Sequence, residues 1–133
     1  EDKPLNKAIL YAIVDGQDFR QLEIDQALRL FLAIFRLPGE AQKISRMMEK
    51  FAEKFHIDNP GKYATADCAF VISFALIMLQ TDLHNPGVKN KMNTESFIRN
   101  LRGVNGGGDL PREYLEGLYE SIVKKPISLN EDE

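Results

Sequence analysis

The sequence predicts an all-α fold, and three observations carry that reading. Apolar residues recur at i, i+3, i+4 spacing in several separate stretches, no stretch alternates apolar with polar residues as a half-buried strand does, and Pro- or Gly-containing turns punctuate the periodic stretches. A chain of 133 residues is one domain's worth, and 44% hydrophobic with 28% charged residues is globular usage. There is no internal repeat, so residues 1–133 read as a single domain of about six helices.

Leu5 to Val14 predicts a first helix, ended by Asp15-Gly16. Between Ile24 and Phe35 the apolar positions Ile24, Ala27, Leu28, Phe31, Leu32 and Phe35 form one helix face. That helix must stop before Pro38, whose ring lacks an amide hydrogen and disfavours helical geometry at Leu37, which leaves Arg36 to Gly39 as a loop. The next helix starts at Glu40 or Ala41, with Ala41, Ile44, Met48, Phe51 and Phe55 inward and Lys43, Arg46, Glu49 and Lys50 outward. His56 to Lys62, containing Asn59-Pro60-Gly61, reads as a turn. Thr65 is an N-cap, with Asp67 opposing the helix dipole, for a helix reaching about Leu83, which Pro86-Gly87 closes. A shorter helix follows a Thr94 cap through Phe97, Ile98 and Leu101. Gly106-Gly107-Gly108 reads as a flexible break, Asp109-Leu110-Pro111 opens a last helix through Leu115, Leu118 and Ile122, and residues 124–133 read as a frayed polar tail.

Several functions lose their basis at once. A net charge of −3 supplies no positive field for nucleic acid or an anionic bilayer. The apolar run Cys68 to Leu79 falls short of the roughly 20 residues that span a hydrocarbon core, and reads as a buried helix. The lone Cys68 makes no internal disulfide and points to a reducing compartment; the start at Glu1 without Met reads as a piece of a longer chain. Two histidines and one cysteine at no ligand spacing support neither a metal site nor a Cys-His nucleophile. Asp15-Gly16-Gln17-Asp18 lacks the alternate ligands of a calcium loop, and the triple glycine lacks the strand and Gly-Lys-Ser/Thr of a phosphate cradle. Lys89, Lys91, Arg99 and Arg102 form a local basic face that solvation alone explains.

Two features ask for more. Phe35 to Glu40 is a Pro-Gly loop that presents a carboxylate at a helix start, which either caps the helix or does chemistry. The stretch around Phe74 and Met78 is apolar all round and reads either as core or as the wall of a groove for a partner.

The segments Phe35-Arg36-Leu37-Pro38-Gly39-Glu40-Ala41-Gln42-Lys43-Ile44 and Ile77-Met78-Leu79-Gln80-Thr81-Asp82-Leu83-His84-Asn85-Pro86 resemble the two signatures of the Sec-seven domain, the catalytic module of exchange factors for Arf-family small GTPases. Lys91-Met92, Phe97 to Asn100 and Gly107 to Pro111 are similar to that family's later motifs. The likeness covers nearly the whole chain, begins midway along the family's domain with the first helices missing ahead of Leu5, and departs at Gln80, where the family usually has Asn. It implies a right-handed α-superhelix. It also implies that Glu40 is a glutamic finger that enters the GTPase's nucleotide site, competes with the β-phosphate and expels Mg²⁺. Leu37, Gly39 and Ala41 would then touch the partner around the finger, and a groove formed by the helices carrying Ala27 to Phe35, Ala41 to Phe55 and Phe70 to Leu83 would receive the switch regions on Phe74, Ile77, Met78, Thr81, Asp82 and Leu83, with Asn85 anchoring the following loop. GDP, GTP and Mg²⁺ would belong to the partner, so this chain would need no cofactor or metal and would make no covalent bond.

The inhibitor brefeldin A traps the family's GDP complex where Tyr-Ser, Asp and Met occupy four positions; here these are Phe74, Ala75, Asp82 and Met92, which implies weak sensitivity. The resemblance further implies a monomeric, cytoplasmic domain that meets Golgi, endosomal or plasma membrane through its partner or flanking domains. The alternative function is a non-catalytic helical module whose groove binds a GTPase or an amphipathic helix without stimulating exchange.

Overall fold

The computed structural model describes the backbone at residues 14–34, 41–87 and 89–127, and the side chains over the same ranges except 34 and 41–45. Five helices follow one another among these residues: α1 (Ile24–Ile34), α2 (Ala41–Asp58), α3 (Ala66–Leu83), α4 (Thr94–Asn100) and α5 (Arg112–Lys124). The described residues contain no strand, only an isolated bridge between Asn105 and Gly108, so the all-α expectation holds over them. Of the first predicted helix only the end is described: Val14 and Asp15 are helical and the chain turns at Gly16.

The predicted stripes meet in one core. Ile24, Ala27, Leu28 and Phe31 of α1 are fully buried, as are Met48, Phe51 and Phe55 of α2. Phe51 sits at the centre of a line of rings, with centroids 5.2 Å from Phe19, 5.1 Å from Phe31 and 6.2 Å from Phe55. Each such pair adds about 0.5 to 1.5 kcal/mol beyond the area it buries. Helix α3 runs through this core and packs on α2, α5 and α1, whereas α4 packs on α5. By length and composition α3 could cross a membrane; in the fold, its Cys68, Ala69, Ile72, Leu76 and Leu79 are fully buried against the other helices.

Local chemistry sets the ends. Thr65 caps α3 as expected, its hydroxyl accepting from the Cys68 N–H at 3.1 Å. The cap of α4 is Asn93 rather than Thr94: its side chain accepts from the Ser96 N–H at 2.8 Å. Helix α2 continues to Asp58, past the predicted turn at His56, because the last turn is tied down on both sides. Lys54 pairs with Asp58 one turn on, and the Asp58 carboxylate accepts from the Phe19 N–H at 2.9 Å. Asn59 accepts from the Gln21 N–H and donates to the Phe19 and Phe55 carbonyls.

Two predicted loose segments are held in place. The triple glycine is a closed turn rather than a flexible break. Asn105 and Gly108 exchange both backbone hydrogen bonds, at 2.9 and 3.1 Å, and positive φ at Gly106 (64°) and Gly107 (96°) gives the two-residue turn that glycine makes without steric cost. The Asn105 side chain then accepts from the Ala64 N–H at 2.7 Å. The expected frayed tail docks through Ile127, which is 3% exposed and donates its N–H to Gln80 Oε1 at 2.7 Å. Arg29 donates to the Pro126 carbonyl and to Ser121, whose hydroxyl donates to the buried Asp25. Residues 128–133 of that predicted tail lie outside the described residues.

Candidate functional site

Because α4 rests on α5, a groove of about 480 Å³ stays open between α3 and α4. Phe70, Val71, Phe74, Ala75 and Met78 line it from α3, Phe97, Asn100 and Leu101 from α4 and its C-cap, and Met92 from the loop between. The α3 residues recur at helical spacing, on the side of the helix away from Cys68, Ala69, Ile72 and Leu76. A helix with no polar face thus serves two apolar surroundings, the core behind it and the groove before it. Phe70 and Phe74 meet edge to face at 5.4 Å, and Met78 is 61% exposed. Leaving a large apolar side chain in water costs free energy that a binding partner recovers by covering it.

Of the three helices expected to form the partner groove, α1, α2 and α3, only α3 lines this one; its other wall is α4. The residues expected at a partner surface separate into groups. Phe74 and Met78 line the groove, together with Ala75 and Met92 of the inhibitor-determining set. Ile77 does not: it is 8% exposed and belongs to the core. Thr81 is exposed just beyond the groove, its hydroxyl donating to the Ile77 carbonyl at 3.1 Å, and Leu83 is half-buried against the core. Asp82 acts on the following loop, for its Oδ2 accepts from the Met92 N–H at 2.6 Å. Asn85 accepts from the Gly87 N–H through its side chain, and its carbonyl accepts from Lys91 Nζ at 2.7 Å. Leu37, Gly39 and Glu40 lie outside the described residues, and of Ala41 only its place as the first residue of α2 is described.

Phe70 and Val71 were legible as groove residues from their spacing to Phe74, four and three positions on; Phe97, Asn100 and Leu101 carried no such signal. The basic face is divided: Lys91 bonds the Asp82 and Asn85 carbonyls, Arg99 bonds Ser96, and Lys89 and Arg102 are exposed. Burial, with Asp67 nearby, pushes the Cys68 thiol up to about 11, so it stays protonated and unreactive at neutral pH. No group of His, Cys, Asp and Glu among the described residues could hold a metal ion.

Among the described residues the domain is all-α and leaves an apolar groove open between two of its helices, the kind of exposed apolar surface that binds a protein partner. The family model for the Sec7 domain matches residues 1–127, and the chain belongs to that family. It is 52% identical to human cytohesin-2, across all of this chain and 33% of that protein. It is equally 52% identical to brefeldin A-inhibited guanine nucleotide-exchange protein 2 of Arabidopsis thaliana, across all of this chain and 7% of that one. Among solved structures, the Sec7p catalytic domain is similar with a TM-score of 0.90 and 51% identity, over 96% of this chain and 68% of that one. The Sec7 domain solved with ARF1-GDP and brefeldin A gives a TM-score of 0.89 and 42% identity, over 98% of this chain and 67% of that one. The chain therefore spans a third or less of these two curated relatives.

Proposed function

We propose that this domain stimulates GDP release from an Arf-family GTPase, docking the switch regions in the α3–α4 groove and presenting the Glu40 carboxylate to the nucleotide site. The observation that carries the reading is the groove itself, in a Sec7-family chain 42% identical to a domain solved with ARF1-GDP. Glu40 immediately precedes the first residue of α2, and Pro38 and Gly39 stand directly before it. A proline with fixed φ limits the ordering entropy that placing the carboxylate would otherwise cost.

Repulsion is large enough to drive release. Two negative charges about 4 Å apart repel by about 4 kcal/mol at an effective dielectric near 20, a factor of roughly a thousand in nucleotide affinity before screening. No covalent step is required. Exchange redistributes binding free energy among nucleotide-bound, empty and domain-bound GTPase, and GDP, GTP and Mg²⁺ stay with the GTPase. The domain acts as a cytoplasmic monomer that reaches Golgi, endosomal or plasma membrane through that partner or through flanking segments.

The test is nucleotide release from ARF1 loaded with a fluorescent GDP analogue. Glu40→Lys reduces stimulated release to the intrinsic rate while binding to nucleotide-free ARF1 stays detectable, because charge is changed and the groove is not. Release as fast as the parent's rules out the finger. Binding by the parent with no stimulated release would identify a non-catalytic docking module instead.

A further inference from the structure

Met92 reaches the groove from neither wall helix, yet its backbone is held from both sides. Its N–H donates to Asp82 Oδ2 in the last turn of α3 at 2.6 Å, and its carbonyl accepts from Tyr119 Oη on α5 at 2.7 Å. Tyr119 lines no part of the groove, although its ring lies against the groove residue Phe97 with centroids 5.9 Å apart. The neighbours of Met92 are tied separately: Lys91 before it bonds the Asp82 and Asn85 carbonyls, and Asn93 after it caps α4, but among the described residues these bonds do not involve the Met92 backbone itself.

We propose that Tyr119 is a positioning residue for partner docking, its hydroxyl acting with Asp82 to fix the Met92 backbone so that the Met92 side chain forms a defined wall of the groove. This rests on the exchange reading above. A methionine side chain is flexible and adapts to whatever it touches, so it makes a wall of fixed place only where its backbone is fixed. The N–H and the carbonyl belong to the two peptide planes that flank the Met92 Cα. Bonds to side chains on two different helices hold both planes, and with them the direction in which the side chain leaves the backbone. Removing the hydroxyl leaves the Met92 carbonyl without its donor on α5, and the loop then samples orientations in which the wall is displaced. Tyr119 suits the task because its burial favours the protonated, donating hydroxyl.

Tyr119→Phe keeps the ring against Phe97 and deletes one oxygen. In exchange on ARF1, KM rises about threefold to tenfold, the range that losing one neutral hydrogen bond allows, and kcat is retained. Met92→Ala also raises KM, and adding Tyr119→Phe to it gives no further rise, since the side chain being positioned is gone. A purely structural Tyr119 would raise KM equally in both backgrounds. Methyl NMR on the chain with ¹³C-labelled methionines gives a readout that needs no exchange. Of four methionines, Met92 shifts or broadens in Tyr119→Phe, whereas the buried Met47 and Met48 keep their signals. A chain that released no nucleotide would overturn the exchange reading and leave the methyl spectrum to decide the clamp. An unmoved Met92 methyl, or an equal KM rise in both backgrounds, overturns the proposal.

Discussion

Met78→Ala separates docking from folding, because the side chain is exposed in the free domain and covered in the proposed complex. Fully burying a methionine stabilises by about 1.5 to 3 kcal/mol. At 61% exposure, more than half of that remains to be gained on docking, or about 1 to 2 kcal/mol. Alanine keeps Cβ and forfeits most of the rest, so kcat/KM for GDP release from ARF1 should fall about three- to twentyfold. The loss should appear in KM, since the Glu40 carboxylate acts once the partner is seated. Stability should barely change: the buried part of the side chain is small, and alanine's better helix propensity offsets some of its loss. The assay is a titration of GDP release against ARF1 concentration, run beside a thermal melt. Unchanged kcat/KM with an unchanged melt would mean that the groove is not where the GTPase docks. A drop in Tm of more than about 5 °C would mean that Met78 supports the core, and the division of α3 into two apolar faces would be wrong.

Gln80→Asn tests the position where the chain departs from its family's usual residue. The shorter side chain cannot span to the Ile127 N–H, now 2.7 Å from Gln80 Oε1, and an unpaired part-buried donor costs about 1 to 3 kcal/mol. For a domain of this size that lowers Tm by about 3 to 10 °C, while Gln80→Glu, which keeps the acceptor, holds the parent value; equal melts for all three would show that the bond does not hold the tail. Brefeldin A should inhibit exchange only weakly, because Phe74 and Ala75 present no hydroxyl to the groove. Recovery of a stable complex of the domain, ARF1-GDP and inhibitor at low micromolar inhibitor would contradict that.

The elements that were legible in the sequence are those whose packing partner leaves a periodic trace. α1 shows its buried face as a stripe, and Thr65 declares the start of α3 because its bond closes within three residues. What was not legible depends on contacts distant along the chain. Asn93 and Thr94 are both competent caps; the choice falls on Asn93 in a chain path where Asp82 and Tyr119 hold the preceding residue, Met92. Three glycines read as freedom until the Asn105 side chain binds the Ala64 amide 41 positions earlier. Ile127 carries no periodic signal, and its partner Gln80 is 47 positions away. Ile77 and Met78 mark the limit most clearly. Both are apolar neighbours on a helix without a polar side, and only the tertiary packing, which seats Ile77 in the core and leaves the α3–α4 groove open beside Met78, decides which of them faces water.

An open apolar groove requires a frame that resists closing, since collapse of α4 onto α3 would bury the same side chains without any partner. The frame here is α5. It carries α4 on one side, bonds the Met92 carbonyl through Tyr119, and accepts from His84, the C-cap of α3, at the Ile122 carbonyl 2.9 Å away. Its C-terminal end is in turn fixed to α1 through Ser121, Arg29 and Asp25. Helix α5 contributes no lining residue, yet it sets the distance between the walls. Substitutions that loosen α5 should therefore cost docking more than they cost stability, because the groove depends on the spacing of two helices whereas the core depends on the packing of all five.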